Sequence, residues 1–122
     1  MLRILSFLAV ILAVAGPVAA QPFSQSMAQC AGLFEGVRNV ISKPENLAKL
    51  DAAAAAFSLA AVDQARAEGQ DDPEAWVAQH QGEMRAEWEA YGALAAFSQD
   101  FVDWTDYCRS FADDRGIDMS FD

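Results

Sequence analysis

Beyond residue 20, apolar residues recur at helical intervals, and nowhere do they alternate with polar ones over the run that a half-buried strand requires. In the first such stretch, Met27, Cys30, Phe34, Val37 and Ile41 are spaced 3, 4, 3 and 4 residues apart, which predicts a helix from near Ser24 or Ser26 to about Ser42. Ala28, Gly32 and Gly36 fall on its opposite side, and Glu35 and Arg38 are its only charges. A helix with so few charges reads as a central element.

The stretch Ser42 to Glu45 has the S-x-x-E form of a capping box with Pro44 in the first turn, so a second helix is expected to follow almost without a loop. Leu47, Leu50, Ala54, Phe57, Ala61 and Ala65 line one of its faces, and Gly69 marks its end. The run Ala52 to Ala56 makes it slim, which suits close packing against the glycine side of the first helix. Asp71 or Asp72 as N-cap, followed by Pro73, opens a third helix with Val77, Met84, Trp88, Tyr91 and Ala95 on one stripe.

Phe97, Phe101, Trp104, Cys108 and Phe111 then form a second stripe, roughly 140° out of phase with the previous one at 100° per residue. One straight helix cannot bury both stripes in one small core. A kink or break between Phe97 and Asp100, followed by a fourth helix that ends before Gly116, resolves the conflict. The expected fold is an all-α, four-helix up-down bundle, with the third and fourth helices either separate or one kinked helix. Met119 and Phe121 are candidates to fold the tail back.

Residues 1–20, "MLRILSFLAVILAVAGPVAA", have a lone cation at Arg3, an apolar run from Ile4 to Ala15, a break at Gly16-Pro17 and small residues before Gln21. This is the layout of a secretory signal peptide cleaved after Ala20, and its apolar run falls short of the about 20 residues that span a bilayer. The expectation is a single exported helical domain over residues 21–122, periplasmic or secreted, without a stable membrane anchor. The whole chain carries a formal charge of −10, with 18 acidic residues against 8 Lys and Arg, and loss of Arg3 with the leader would make the mature chain more negative still. That balance excludes nucleic acid and anionic lipid surfaces as partners and favours a basic one.

Export changes the reading of the two cysteines. Cys30 and Cys108 are the only pair, the compartment permits disulfides, and their spacing rules out a C-x-x-C redox motif, so one structural bridge is expected. Lipidation of Cys30 fails on position, since it lies well past the cleavage point and follows Gln29.

His80 is the only histidine, so catalytic triads, two-histidine metal sites and haem attachment lack their parts. No catalytic residue, metal or cofactor is assigned, and an enzyme is not expected. Two function classes compete. A non-catalytic interaction module, an adaptor, inhibitor or chaperone-like binder, would use the Ala28, Gly32 and Gly36 ridge as a groove or Trp104 as an anchor, as a monomer or small homo-oligomer. The alternative is a small-ligand or metal-binding bundle built around His80, Glu83 and Met84, in which His80 and Glu83 have the H-x-x-E spacing. The bland account of the ridge is close approach of the second helix, and that of His80 is a partly buried structural histidine.

Overall fold

A computed structural model describes residues 20–120. The leader reading therefore lies outside the described residues except for Ala20, as does Phe121. Among the described residues there are four α-helices and no strand: α1 (Phe23–Gly36), α2 (Pro44–Ala67), α3 (Pro73–Tyr91) and α4 (Gln99–Arg115), with 3-10 helices at Arg38–Val40 and Gly92–Phe97. None of these helices is long and apolar enough to cross a membrane.

Contacts at the helix ends fix the directions. Ser24 at the start of α1 bonds to Glu68 beyond the end of α2, whereas Arg38 just after α1 pairs with Asp51 near the start of α2, so these two helices are antiparallel. Ser24 also meets Trp76 near the start of α3, and Gly36 lies against Trp88 near its end, so α3 runs parallel to α1. Cys30 is bonded to Cys108 and Phe23 lies 6.0 Å from Phe111, which sets α4 antiparallel to α1. The up-down order expected from the stripes is the order observed.

α1 is the axis of the bundle. Met27, Ala28, Cys30, Ala31, Leu33 and Phe34 are all buried, and they point to every side of the helix, as does Gly36. A helix apolar all round is stable only when surrounded. On one side it receives the α2 stripe of Ala53, Ala54, Phe57, Ala61 and Ala65, with the Phe34 and Phe57 rings 6.0 Å apart. α4 is held more narrowly, through Cys108, Ala112 and the inner edges of its aromatic residues.

Several boundaries are set by local chemistry. Asp72 caps α3 by accepting from Ala75 N–H at 3.1 Å, with Pro73 at the first helical position. Gly69, Gly92 and Gly116 take the positive φ that ends α2, α3 and α4, at 78°, 78° and 67°. Ser98 caps α4 through Phe101 N–H, so the third and fourth helices are separate. Met119 folds back and is buried.

Three expectations are corrected. α3 stops at Tyr91 rather than carrying Ala95 on to a break at Phe97 to Asp100, because Gly92 takes a positive φ and the chain continues as a 3-10 helix. α1 stops at Gly36 rather than near Ser42, and the capping box does not form. Pro44 occupies the first position of α2, which makes Lys43 the N-cap in an extended conformation and leaves Ser42 one residue too early to reach the helix. The chain between the two helices turns through the 3-10 helix Arg38–Val40 instead.

A polar junction ties α1, α2 and α3 at one end. The fully buried Ser24 accepts from Trp76 Nε1 at 2.9 Å and donates through its hydroxyl to Glu68, which also accepts from Ser24 N–H at 3.2 Å and from Gln64 Nε2 at 3.0 Å. The Glu68 carboxylate, just beyond the end of α2, thus caps the N-terminus of α1, where the helix dipole favours negative charge. Burial pushes the Glu68 carboxyl up, but hydrogen bonds from Ser24, Gln64 and Gln70 outweigh it and hold it below the usual glutamate range.

A group whose pKa is depressed on folding stabilises the fold above its unfolded value and loses that contribution as the pH falls through the folded one. Glu68→Ala should therefore lower stability at pH 7 by about 1 kcal/mol, the usual size of a lost cap. The deficit should shrink as the pH falls below about 4.3. Urea unfolding at pH 7 and pH 3 checks this, and an equal deficit at both values would refute the electrostatic share of the effect.

Candidate functional site

The ridge Ala28, Gly32 and Gly36 is filled from within the chain. A Cβ at Gly32 would collide with the Gln81 carbonyl oxygen and lie 2.8 Å from Met84 Cβ, and one at Gly36 would lie 2.6 Å from Trp88 Cβ. These atoms belong to α3, so the ridge receives α3 and not the alanine-rich α2. The physical reason is volume: Met84 and Trp88 are large and need a hollow, whereas the small α2 residues already fit beside Phe34. Ala28 is fully buried and both glycines are buried, so no open groove remains there.

His80, Glu83 and Met84 are not brought together. Met84 is buried against Gly32, the Glu83 side chain is 64% exposed, and His80 Nδ1 stands 3.9 Å from Glu83 Oε2. That separation is longer than a hydrogen bond and carries little energetic weight beside so exposed a carboxylate. His80 packs edge-on against Trp76 with ring centroids 4.3 Å apart, and its Nε2 is buried without a hydrogen-bond partner among the described residues. Those residues hold no group of three or more His, Cys, Asp or Glu side chains placed to take a metal ion. Cys30 and Cys108 form the expected disulfide, fully buried, with Cα atoms 5.7 Å apart.

What the structure leaves at the surface is an aromatic belt along α4. Phe23 and Phe111 are 6.0 Å apart, Phe111 and Tyr107 6.0 Å, and Tyr107 and Trp104 5.8 Å. A cleft shared by Trp104, Trp88 and Tyr91 carries the belt on to the end of α3, where the last two rings stack at 5.3 Å. Phe23, Tyr91 and Tyr107 are 46%, 47% and 45% exposed, and Trp104, Phe101 and Phe111 are half-buried. Contiguous apolar surface of this kind makes the belt the candidate contact face.

The belt departs from the expected stripe at one point. Phe97, which the spacing placed with Phe101 and Trp104, is 86% exposed. The 3-10 segment and the extended Ser98 that caps α4 break the helical phase between Phe97 and Phe101, and Phe97 projects outward together with Leu94.

Carboxylates edge the rings. One cleft of 270 Å³ is lined by Asp103, Trp104 and Tyr107, and a second of 270 Å³ by Glu87, Trp88, Tyr91, Asp100 and Trp104. At the far end of the belt a cation is already in place: the Arg115 guanidinium carbon sits 3.6 Å from the centre of the Phe23 ring and 5.6 Å from that of Phe111. Trp104 was legible as an anchor from the sequence. Tyr91 was not, because its spacing from Val77, Met84 and Trp88 assigns it to a core, and Phe23 and Tyr107 fall on none of the apolar stripes. No protein-family model, curated protein or solved structure matches this chain, so the geometry alone carries the functional reading.

Proposed function

We propose that this protein is a non-catalytic interaction module of an exported compartment, which holds a basic segment of a partner protein on the aromatic belt of α4. The observation that carries the reading is the belt itself: exposed rings from Tyr91 to Phe23, edged by Glu87, Asp100 and Asp103. Rigid amphipathic rings give contact area at low entropic cost and are enriched among residues that dominate binding energy. An acidic rim selects basic partners and speeds encounter with them. Export is supported by the leader-like pattern of residues 1–20 and is compatible with the buried disulfide.

A photo-reactive phenylalanine analogue at Tyr107, introduced in the cell that makes the protein, tests the reading. The expected result is a discrete adduct whose cross-linked peptide is rich in Lys and Arg, and which is lost when Trp104→Ala is added. The same analogue at Leu59, 68% exposed on the far helix α2, should give no such adduct. Identical adducts at both positions, or none at Tyr107, would overturn the proposal.

A further inference from the structure

The chemistry of the cleft where α3 ends and α4 begins is more specific than that of an apolar contact face. The rings of Trp88, Tyr91 and Trp104 and the acidic residues Glu87 and Asp100 line it together. Trp88 is 5% exposed and is fixed by stacking on Tyr91, with an interplanar angle of 18°, and by an edge-on contact with Phe101 at 6.0 Å. Rings held this way are organised before any ligand arrives, so binding need not order them.

Aromatic faces carry negative electrostatic potential and attract organic cations, and adjacent carboxylates add to that attraction. Anionic groups are repelled by the same carboxylates. A purely apolar side chain would leave Glu87 and Asp100 uncompensated beside it, and neither forms an ion pair with a cation of this chain among the described residues. Of the cationic side chains, arginine is the one whose planar group both stacks on a ring and forms a fork of hydrogen bonds to a carboxylate. The chain provides its own precedent on the same belt, where Arg115 lies over Phe23.

Resting on the interaction reading above, we propose that this cleft receives an arginine side chain of the partner as its anchoring contact. The cleft of Asp103, Trp104 and Tyr107 shares Trp104 with it and lies about one helical turn, or roughly 5 Å, further along α4. A partner segment with two arginines one helical turn apart matches the pair.

The test uses the purified oxidised protein and three versions of one short amphipathic helical peptide. They carry arginine, lysine, or citrulline, the uncharged isostere of arginine, at two positions a turn apart. Titration calorimetry should show the arginine peptide binding about tenfold more tightly than the citrulline peptide, a ratio that corresponds to about 1.4 kcal/mol. The lysine peptide should fall between them. Glu87→Gln with Asp100→Asn should erase the preference for arginine. Asp63→Asn on α2, which also reduces the negative charge, should keep it.

Equal binding of the arginine and citrulline peptides would overturn the inference, as would a preference that survives in the Glu87→Gln, Asp100→Asn protein. A lysine peptide as tight as the arginine one would overturn the choice of guanidinium. Absence of binding by all three would refute the cleft assignment. In each of these cases a specific Tyr107 cross-link would leave the interaction reading standing, whereas loss of that cross-link would remove the reading itself.

Discussion

Gly32→Ala should destabilise the protein by about 2–3 kcal/mol, although alanine is the better helix former by about 1 kcal/mol. The added methyl would collide with the Gln81 carbonyl oxygen and lie 3.0 Å from Arg85 N, both backbone atoms of α3 that no side-chain rotation can clear. α3 would have to move away from α1, and the close packing of Met84 and Trp88 would go with it. Loosening a whole helix interface costs more than the local propensity gives back. Gly36→Ala meets Arg85 O at 2.8 Å and should behave in the same way.

The control is on the facing helix. Gly82 lies within α3 and nothing approaches its Cβ position within 4 Å, so Gly82→Ala should stabilise by up to about 1 kcal/mol. Thermal unfolding separates the two cases. For a domain of this size each kcal/mol moves the midpoint by about 4–8 °C, so Gly32→Ala should fall by roughly 10–20 °C while Gly82→Ala rises slightly. A Gly32→Ala protein as stable as the parent would mean that α1 and α3 do not pack through this face.

The same ridge marks a limit on what could be read from the chain. Ala28, Gly32 and Gly36 on one face state that something must come close, but small residues carry no information about which helix it is. α2 offers slimness and α3 offers bulk, and only the packed volume of Met84 and Trp88 decides between them. Boundaries were more legible where their causes are local, at Asp72 before Pro73 and at Gly69 and Gly116, where the chain turns with positive φ, whereas Gly92 ends α3 inside the stripe that runs from Val77 to Ala95. Pro44 misled for an equally local reason, since it moved the N-cap of α2 from Ser42 to Lys43.

The junction of Ser24, Glu68 and Trp76 was invisible to any periodicity argument. Its members are separated by 44 and 52 residues, and no pattern within a helix reports a hydrogen bond across three of them. The belt was partly misread for a different reason. A 3, 4, 3 stripe of aromatics predicts burial, but a helix set at the side of a bundle buries only a narrow strip. In α4 that strip is Cys108 and Ala112, with Phe101, Trp104 and Phe111 at its margins and Tyr107 outside it.

That narrow attachment makes the disulfide the second large effect. In the Cys30→Ala, Cys108→Ala protein, stability should fall by about 4 kcal/mol, the loop-closure value for a bridge spanning 78 residues. For a domain whose net stability is roughly 5–15 kcal/mol this is a large fraction, and the loss should not be uniform along the chain. α1, α2 and α3 remain joined by the Phe34–Phe57 contact, the glycine interface and the Ser24 junction, none of which involves α4. α4 keeps the Phe23–Phe111 contact, the Arg115–Phe23 contact and the Trp88–Phe101 contact, all at partly solvated edges. Hydrogen exchange should therefore show amides of Gln99–Arg115 losing protection by a larger factor than those of α1, and binding of the arginine peptide should weaken with them because Trp104 and Asp100 lie on the loosened helix. Equal loss of protection in all four helices would show instead that α4 is an integral member of one cooperative unit, with the bridge acting on the unfolded chain alone.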